Sequence, residues 1–179
     1  MQIKDYIHSY HQVITNDLAD SVINHYHTNG QWNQSSFSTN TDISPRTNNR
    51  VDMKEYWINK KDRYYEELKT GFRSMVDDYI KTHTKIIPQS FTPFRMNHYS
   101  KGGFMKNHID NIHHSHGQQY GYPHVTALLF LQTADEGGEI VFCDGEYIPK
   151  QTKGSGVVFP SNFMFSHEVK KVIKGDRYS

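Results

Sequence analysis

Phe94-Arg95-Met96-Asn97-His98-Tyr99-Ser100-Lys101-Gly102-Gly103-Phe104-Met105-Lys106-Asn107-His108-Ile109-Asp110 is the stretch on which the fold turns. Phe94 to Tyr99 reads as a strand, Ser100 to Gly103 as a turn, and Phe104 to Asp110 as the next strand. His108 and Asp110 are two residues apart, so on a strand both side chains point to one face. Such a pair is common by chance. It gains meaning from two residues much further along the chain, His167 and then Arg177. Two histidines and a carboxylate form a ligand set that holds Fe(II) on one side and leaves positions open on the other. A guanidinium fixed nearby can bind a carboxylate through two parallel hydrogen bonds. The same three ligands also suit catalytic zinc, but Arg177 has no evident role in a hydrolytic scheme.

The strand pattern continues to the end of the chain. Val125-Thr126-Ala127-Leu128-Leu129-Phe130-Leu131 is apolar enough for a buried central strand. Asp135-Glu136-Gly137-Gly138 turns into Glu139-Ile140-Val141-Phe142. Gly156 to Pro160 and Ser166 to Val169 read as further strands, and Lys174-Gly175-Asp176 as a turn into Arg177-Tyr178-Ser179. Short strands at this spacing predict a sandwich or barrel. Gly137-Gly138 is no phosphate loop, since it lacks the Lys-Ser/Thr ending and a following helix. The chain stops inside what reads as a strand, so the natural protein is expected to continue past Ser179.

The first ninety residues read differently. Residues 4–13 are a helix candidate. A second helix starts at Asn16-Asp17-Leu18 and runs through Tyr26, with Gly30 as its stop. Residues 31–51 are polar and read as a loop, with short strands near Trp32 and Phe37. Asp52-Met53-Lys54-Glu55 resembles a capping box. A long helix over residues 60–83 carries an apolar stripe of Tyr65, Leu68, Phe72, Met75, Val76, Tyr79 and Ile80, which reads as a buttress for a sheet.

Bulk properties narrow the class. The 179 residues fit one domain, with 1–90 as helical buttress and loop and 91–179 as the β core. A net charge of +1 does not suggest a nucleic-acid binder. There is no run of 18 apolar residues, so no membrane span is expected. Met1 to Asp5 lacks the apolar core of a signal peptide, and a cytoplasmic protein is expected. The one cysteine, Cys143, excludes an intramolecular disulfide and reads as a small buried residue rather than a nucleophile. Of 12 histidines, His113, His114 and His116 cluster after Asp110 and read as a solvated loop, with a secondary metal site or a lining of the substrate entrance as the sharper alternatives. His98 and His124 read as packed or exposed. Arg95 alternates with Tyr99 on one strand face and either reaches a pocket or lies on the surface.

The ordered set resembles the Fe(II)/2-oxoglutarate-dependent dioxygenase superfamily, and within it the prolyl 4-hydroxylase-like branch. The resemblance is carried by Asn97 to Asp110, Val125 to Gln132, Glu136 to Ile140, His167-Glu168-Val169 and Gly175 to Ser179. It implies a mainly β fold with packing helices (α+β): a double-stranded β-helix of the jelly-roll or cupin kind, with the N-terminal helices against one sheet. It implies His108, Asp110 and His167 as metal ligands, Arg177 on the distal carboxylate of 2-oxoglutarate, Tyr99 lining the cosubstrate pocket, and Ser179 completing an Arg-x-Ser pattern. No catalytic residue beyond the ligands is implied. The cofactors would be Fe(II) and 2-oxoglutarate, with ascorbate as reductant and O₂ as cosubstrate. The partner would be a proline-containing protein or peptide, with no nucleic acid and no membrane. Collagen-type members carry Lys where this chain has Arg177, which favours the hypoxia-factor-like and the bacterial or viral hydroxylases. Phe130 stands where some relatives have a second pocket tyrosine. Residues 31–51 and 111–123 are the expected substrate contacts. The rival readings are the same chemistry on a free amino acid or small metabolite, and a non-catalytic metal-binding β-barrel protein.

Overall fold

The two strands joined by Ser100 to Gly103 do not pair with each other; the turn carries the chain from one sheet to another. A computed structural model describes residues 2–35, 50–88, 90–110 and 123–179. Its strands are β1 (His8–Tyr10), β2 (Asn33–Gln34), β3 (Val51–Asp52), β4 (Lys54–Ile58), β5 (Phe94–Tyr99), β6 (Phe104–His108), β7 (Val125–Leu129), β8 (Glu136–Gly137), β9 (Ile140–Phe142), β10 (Gly156–Pro160), β11 (His167–Val169), β12 (Val172–Lys174) and β13 (Arg177–Tyr178). Its helices are α1 (Asn16–Asn29) and α2 (Tyr65–Thr82). β5 lies between β4 and β13, whereas β6 lies between β3 and β11. The turn closes with Gly103 N–H donating to Ser100 O at 2.7 Å. A side chain at 103 would meet Ser100 O at 2.8 Å and Asp52 O at 2.9 Å, so only glycine lets the two sheets approach here.

One sheet runs β2-β4-β5-β13 and continues into β7-β10-β1. The join is made by Leu131 and Gln132, whose N–H groups donate to Tyr178 O at 3.0 and 3.1 Å. The facing sheet runs β3-β6-β11-β9, and the β8–β12 pair attaches to it through Val172, bonded to Gly102 and Gly103. All pairings are antiparallel. Two facing sheets with both helices on the outside of one make a double-stranded β-helix, mainly β with packing helices.

The helices cover the outer face of the larger sheet because their stripes match it. α1 presents Ala19, Val22, Ile23 and Tyr26, and α2 presents Leu68, Met75 and Tyr79. They pack on Ile58, Phe94, Met96, Leu129, Val158 and Tyr178 in one buried cluster. Thr15 caps α1, accepting from Leu18 N–H at 3.2 Å. A second cluster, with Phe130, Phe142, Val157 and Phe159, fills the space between the sheets.

Two expectations for the first half are corrected. Residues 4–13 are not a helix: Ile3–Tyr6 is a single 3₁₀ turn, and β1 follows by pairing with the open edge of β10, which outweighs local helix preference. Asp52 to Glu55 is no capping box either. Lys54-Glu55-Tyr56-Trp57-Ile58 is β4, held in full register against β5, and the helix begins only at Tyr65. The strand expected near Trp32 is β2; Phe37 lies outside the described residues.

Gly156 of β10 sits under α2, and a Cβ there would strike the Met75 sulfur and stand 2.7 Å from the Leu128 carbonyl. The carbonyl belongs to the paired strand and cannot yield as a side chain can. Gly156→Ala is expected to destabilise the fold by about 1–3 kcal/mol. Thermal unfolding of both proteins checks this, and an unchanged or raised Tm would contradict the packing described.

Candidate metal centre

The β6–β11 ladder sets His167 directly opposite His108. Their ring centroids are 4.3 Å apart, with planes at 57°. Asp110 follows β6 by two residues and turns to the same side. Its Oδ1 lies 3.5 Å from His108 Nε2 and 3.6 Å from His167 Nε2. The three ligand atoms all fall within 4.8 Å of one another, a spacing one cation can close.

Each imidazole is oriented by the same local device. Nδ1 of His108 bonds Lys106 O at 2.9 Å, and Nδ1 of His167 bonds Phe165 O at 3.1 Å. A carbonyl only accepts, so Nδ1 carries the proton and Nε2 offers its lone pair to the centre. Burial, the largest influence, pushes the pKa of His167 down against the pull of Asp110, and its ring is neutral at neutral pH. For Asp110, burial pushes upward. Attraction to His167 and His108 at the acid pH where they are protonated, together with the Thr126 hydroxyl, outweighs it and holds the carboxyl well below the usual range. The charges thus suit a metal before one binds.

Thr126 is a residue that sequence reasoning missed, as part of an apolar strand. Its Oγ1 donates to Asp110 Oδ2 at 2.7 Å and lies 3.0 Å from Ser161 Oγ, which is buried. This occupies one carboxylate oxygen and leaves Oδ1 facing the histidines. The one hydroxyl in an otherwise apolar run was the available signal.

The same cavity, about 350 Å³, extends from these ligands to Arg177. Arg177 is only 2% exposed. Its Nη1 donates to Ser179 Oγ at 2.9 Å, and its Cζ stands 5.0 Å from the Tyr99 ring and 5.9 Å from the Phe130 ring. Among the described residues no carboxylate pairs with it. A guanidinium stays charged at any relevant pH, so a buried cation here awaits an anion. Tyr99 and Ser179 also line the cavity. So does Asn97, opposite Ser179 across the β5–β13 ladder; it is 7% exposed and its Oδ1 has no partner among the described residues.

Other candidates fall elsewhere. Arg95 does reach the cavity wall, 3.6 Å from Glu55 Oε2. His98 is on the opposite face, stacked on Tyr178 and bonded to Asp176 at 2.8 Å. His124 is exposed. Cys143 is half-buried with a thiol pKa pushed up by burial, unlike an activated nucleophile. His113, His114 and His116 lie outside the described residues, as do most of 31–51 and nearly all of 111–123.

Comparisons with known proteins agree with this geometry. Residues 94–179 match the family model described as the 2OG-Fe(II) oxygenase superfamily. A PKHD-type hydroxylase of Stenotrophomonas maltophilia is 34% identical over 97 residues, covering 51% of this chain and 42% of that protein. The chain spans about half the length of the curated relatives it matches. In fold it is similar to a prolyl-4-hydroxylase of Pseudomonas putida, at TM-score 0.71 and 15% identity over 97% of this chain and 88% of that one. It is also similar to the Trichoplax adhaerens prolyl hydroxylase solved with a hypoxia inducible factor peptide fragment, at TM-score 0.69 and 20% identity over 97% and 80%.

Thr126→Val keeps the shape of the side chain and removes the hydroxyl that orients Asp110. It is expected to weaken Fe(II) binding about 10- to 100-fold with the fold intact. Metal titration by calorimetry, with circular dichroism as control, measures this; unaltered affinity would show that the hydroxyl positions nothing.

Proposed function

We propose that this chain, whose residues 94–179 belong to the 2OG-Fe(II) oxygenase superfamily on its prolyl 4-hydroxylase-like branch, is an Fe(II)- and 2-oxoglutarate-dependent hydroxylase of a proline-containing peptide or protein. The observation that carries the reading is Arg177. It is a buried cation without a carboxylate partner among the described residues, on the same cavity as His108, Asp110 and His167. A ligand with a carboxylate at one end and a chelating group at the other suits that pairing. 2-Oxoglutarate is such a diacid.

In this scheme His108 Nε2, Asp110 Oδ1 and His167 Nε2 hold the iron. When bound with 2-oxoglutarate and O₂, the iron supplies the oxidising power to hydroxylate a C–H bond. Arg177 binds and orients the distal carboxylate. Ser179 accepts from Arg177, so its own O–H is free to donate to the same carboxylate. Tyr99 and Phe130 wall the guanidinium in rings and keep water from it, which strengthens the ion pair. Phe130 has no hydroxyl to add, and Asn97 is a further polar group in the wall. Ascorbate would be the external reductant.

The peptide substrate is supported by the mouth of the cavity. Ile87 and Phe91, both exposed, extend the wall outward beside Trp57. An apolar rim of this kind suits a prolyl side chain better than a small charged metabolite. A cytoplasmic setting accords with a ferrous cofactor; no helix of the described residues is long and apolar enough to cross a membrane.

Incubation with Fe(II), ascorbate, 2-oxoglutarate and proline-containing peptides is expected to yield succinate and a peptide heavier by one oxygen atom. No succinate from a metal-loaded chain would defeat the enzymatic reading, and succinate without peptide oxidation would defeat the substrate. Arg177→Ala is expected to raise the 2-oxoglutarate requirement roughly 10- to 100-fold, the size of a lost charge-assisted hydrogen bond. Iron binding should be unchanged. Equal 2-oxoglutarate dependence in both proteins would overturn the role given to Arg177.

A further inference from the structure

Away from the cavity, a second pair of histidines is brought together by the fold. His8 on β1 and His83, which follows α2 as its C-terminal cap, place their Nε2 atoms 3.3 Å apart. Both are half-buried, and neither lines the cavity. The rings are 5.0 Å apart at 52°. Tyr79 stands against both, at 4.8 Å from His8 and 4.3 Å from His83, and Tyr6 stacks on His83 at 5.3 Å.

The separation is informative. N–H donors prefer about 2.9–3.0 Å to their acceptors, so 3.3 Å is long for a direct bond between the rings. Two bonds of about 2.0–2.1 Å to one ion, at the tetrahedral angle, span about 3.3–3.4 Å. Neither imidazole has another hydrogen-bond partner among the described residues, so both Nε2 lone pairs can serve. The carbonyl end of α2 adds a favourable field for a cation. The tyrosine rings fix the imidazole planes, so little side-chain freedom remains to be lost on binding.

We propose that His8 and His83 form a second metal site, one that takes a late first-row divalent cation such as Zn²⁺, Ni²⁺ or Cu²⁺ through two imidazole nitrogens, with water in the remaining positions. The ion bridges β1, the edge strand of the larger sheet, to the end of the helix that buttresses that sheet. Its role is structural: it fastens the first ten residues to α2. This site is independent of the proposed oxygenase chemistry and stands or falls separately.

The test uses the full chain carrying His108→Ala and Asp110→Ala, so that the first centre takes up no metal. Equilibrium dialysis against Zn²⁺ is expected to show one ion per chain and a raised Tm. Adding His8→Ala or His83→Gln should remove both effects. No uptake in the first variant, or undiminished uptake after either addition, overturns the proposal and leaves a hydrogen-bonded imidazole pair. Circular dichroism shows whether the added substitutions fold. If they do not, ring-proton resonances are followed on Zn²⁺ addition with His8 and His83 intact. Shifts at these two rings support the site, and shifts confined to other histidines overturn it.

Discussion

His167 stands opposite His108 across the β6–β11 ladder, and the candidate centre depends on that register. Side chains alternate along a strand, so a one-residue slip would turn His167 away from the interior while sparing the main-chain bonding. Several contacts oppose the slip. β9 holds β11 from its other side, with His167 paired to Phe142. Phe142 and Phe159 pack their rings against the His167 ring at 5.3 and 5.0 Å. Each imidazole is also tied to the carbonyl two residues before it, the same arrangement on both strands. The two imidazoles are therefore placed by backbone pairing, whereas Asp110, two residues past β6, is held by the Thr126 hydroxyl.

The second constraint is electrostatic. A charged group taken out of water is costly unless it is paired, and Arg177 is buried beside two aromatic rings with one hydroxyl as its hydrogen-bond partner. A fold that tolerates this carries a standing preference for an anion at that point. The preference is stronger because aromatic rings flank the guanidinium and Ser179 holds it before the ligand arrives. On the proposed reading, a metal held by His108, Asp110 and His167 would take the chelating end of an elongated diacid and Arg177 its charged end.

Much of this was legible in the chain. The β-rich half and the one-face spacing of His108 and Asp110 follow from strand alternation, whereas His167 and Arg177 were singled out by their order in the chain and by the resemblance it carries; the structure brings all four to one cavity. The N-terminal half hid more. Residues 4–13 and 52–55 carry helix-like local signals, yet His8–Tyr10 of the first and most of the second go into strands because open sheet edges recruit them. Edge recruitment is a tertiary effect without a local signature. Thr126 and Asn97 were hidden for another reason. In sequence each is one polar residue in a strand, and only the pairing of β5 with β13 and the approach of Asp110 give them partners or expose the lack of one.

β5 shows why ordinary amphipathic reasoning falls short in this architecture. Phe94 and Met96 face the helices, whereas Arg95, Asn97 and Tyr99 line the cavity, so neither face is simply solvent. β13 repeats the division over fewer residues: Arg177 and Ser179 face inward and Tyr178 outward. Tyr178 is tied on the outside by His27 through its hydroxyl at 2.7 Å and by the stacked His98 ring at 4.3 Å. Its backbone meanwhile joins the two halves of the larger sheet at Leu131 and Gln132. Short as it is, this strand is bonded on both sides, to β5 and to Gln132. The outward contacts of Tyr178 add packing from α1 to the backbone bonds that set the Arg177 side chain on the inner face.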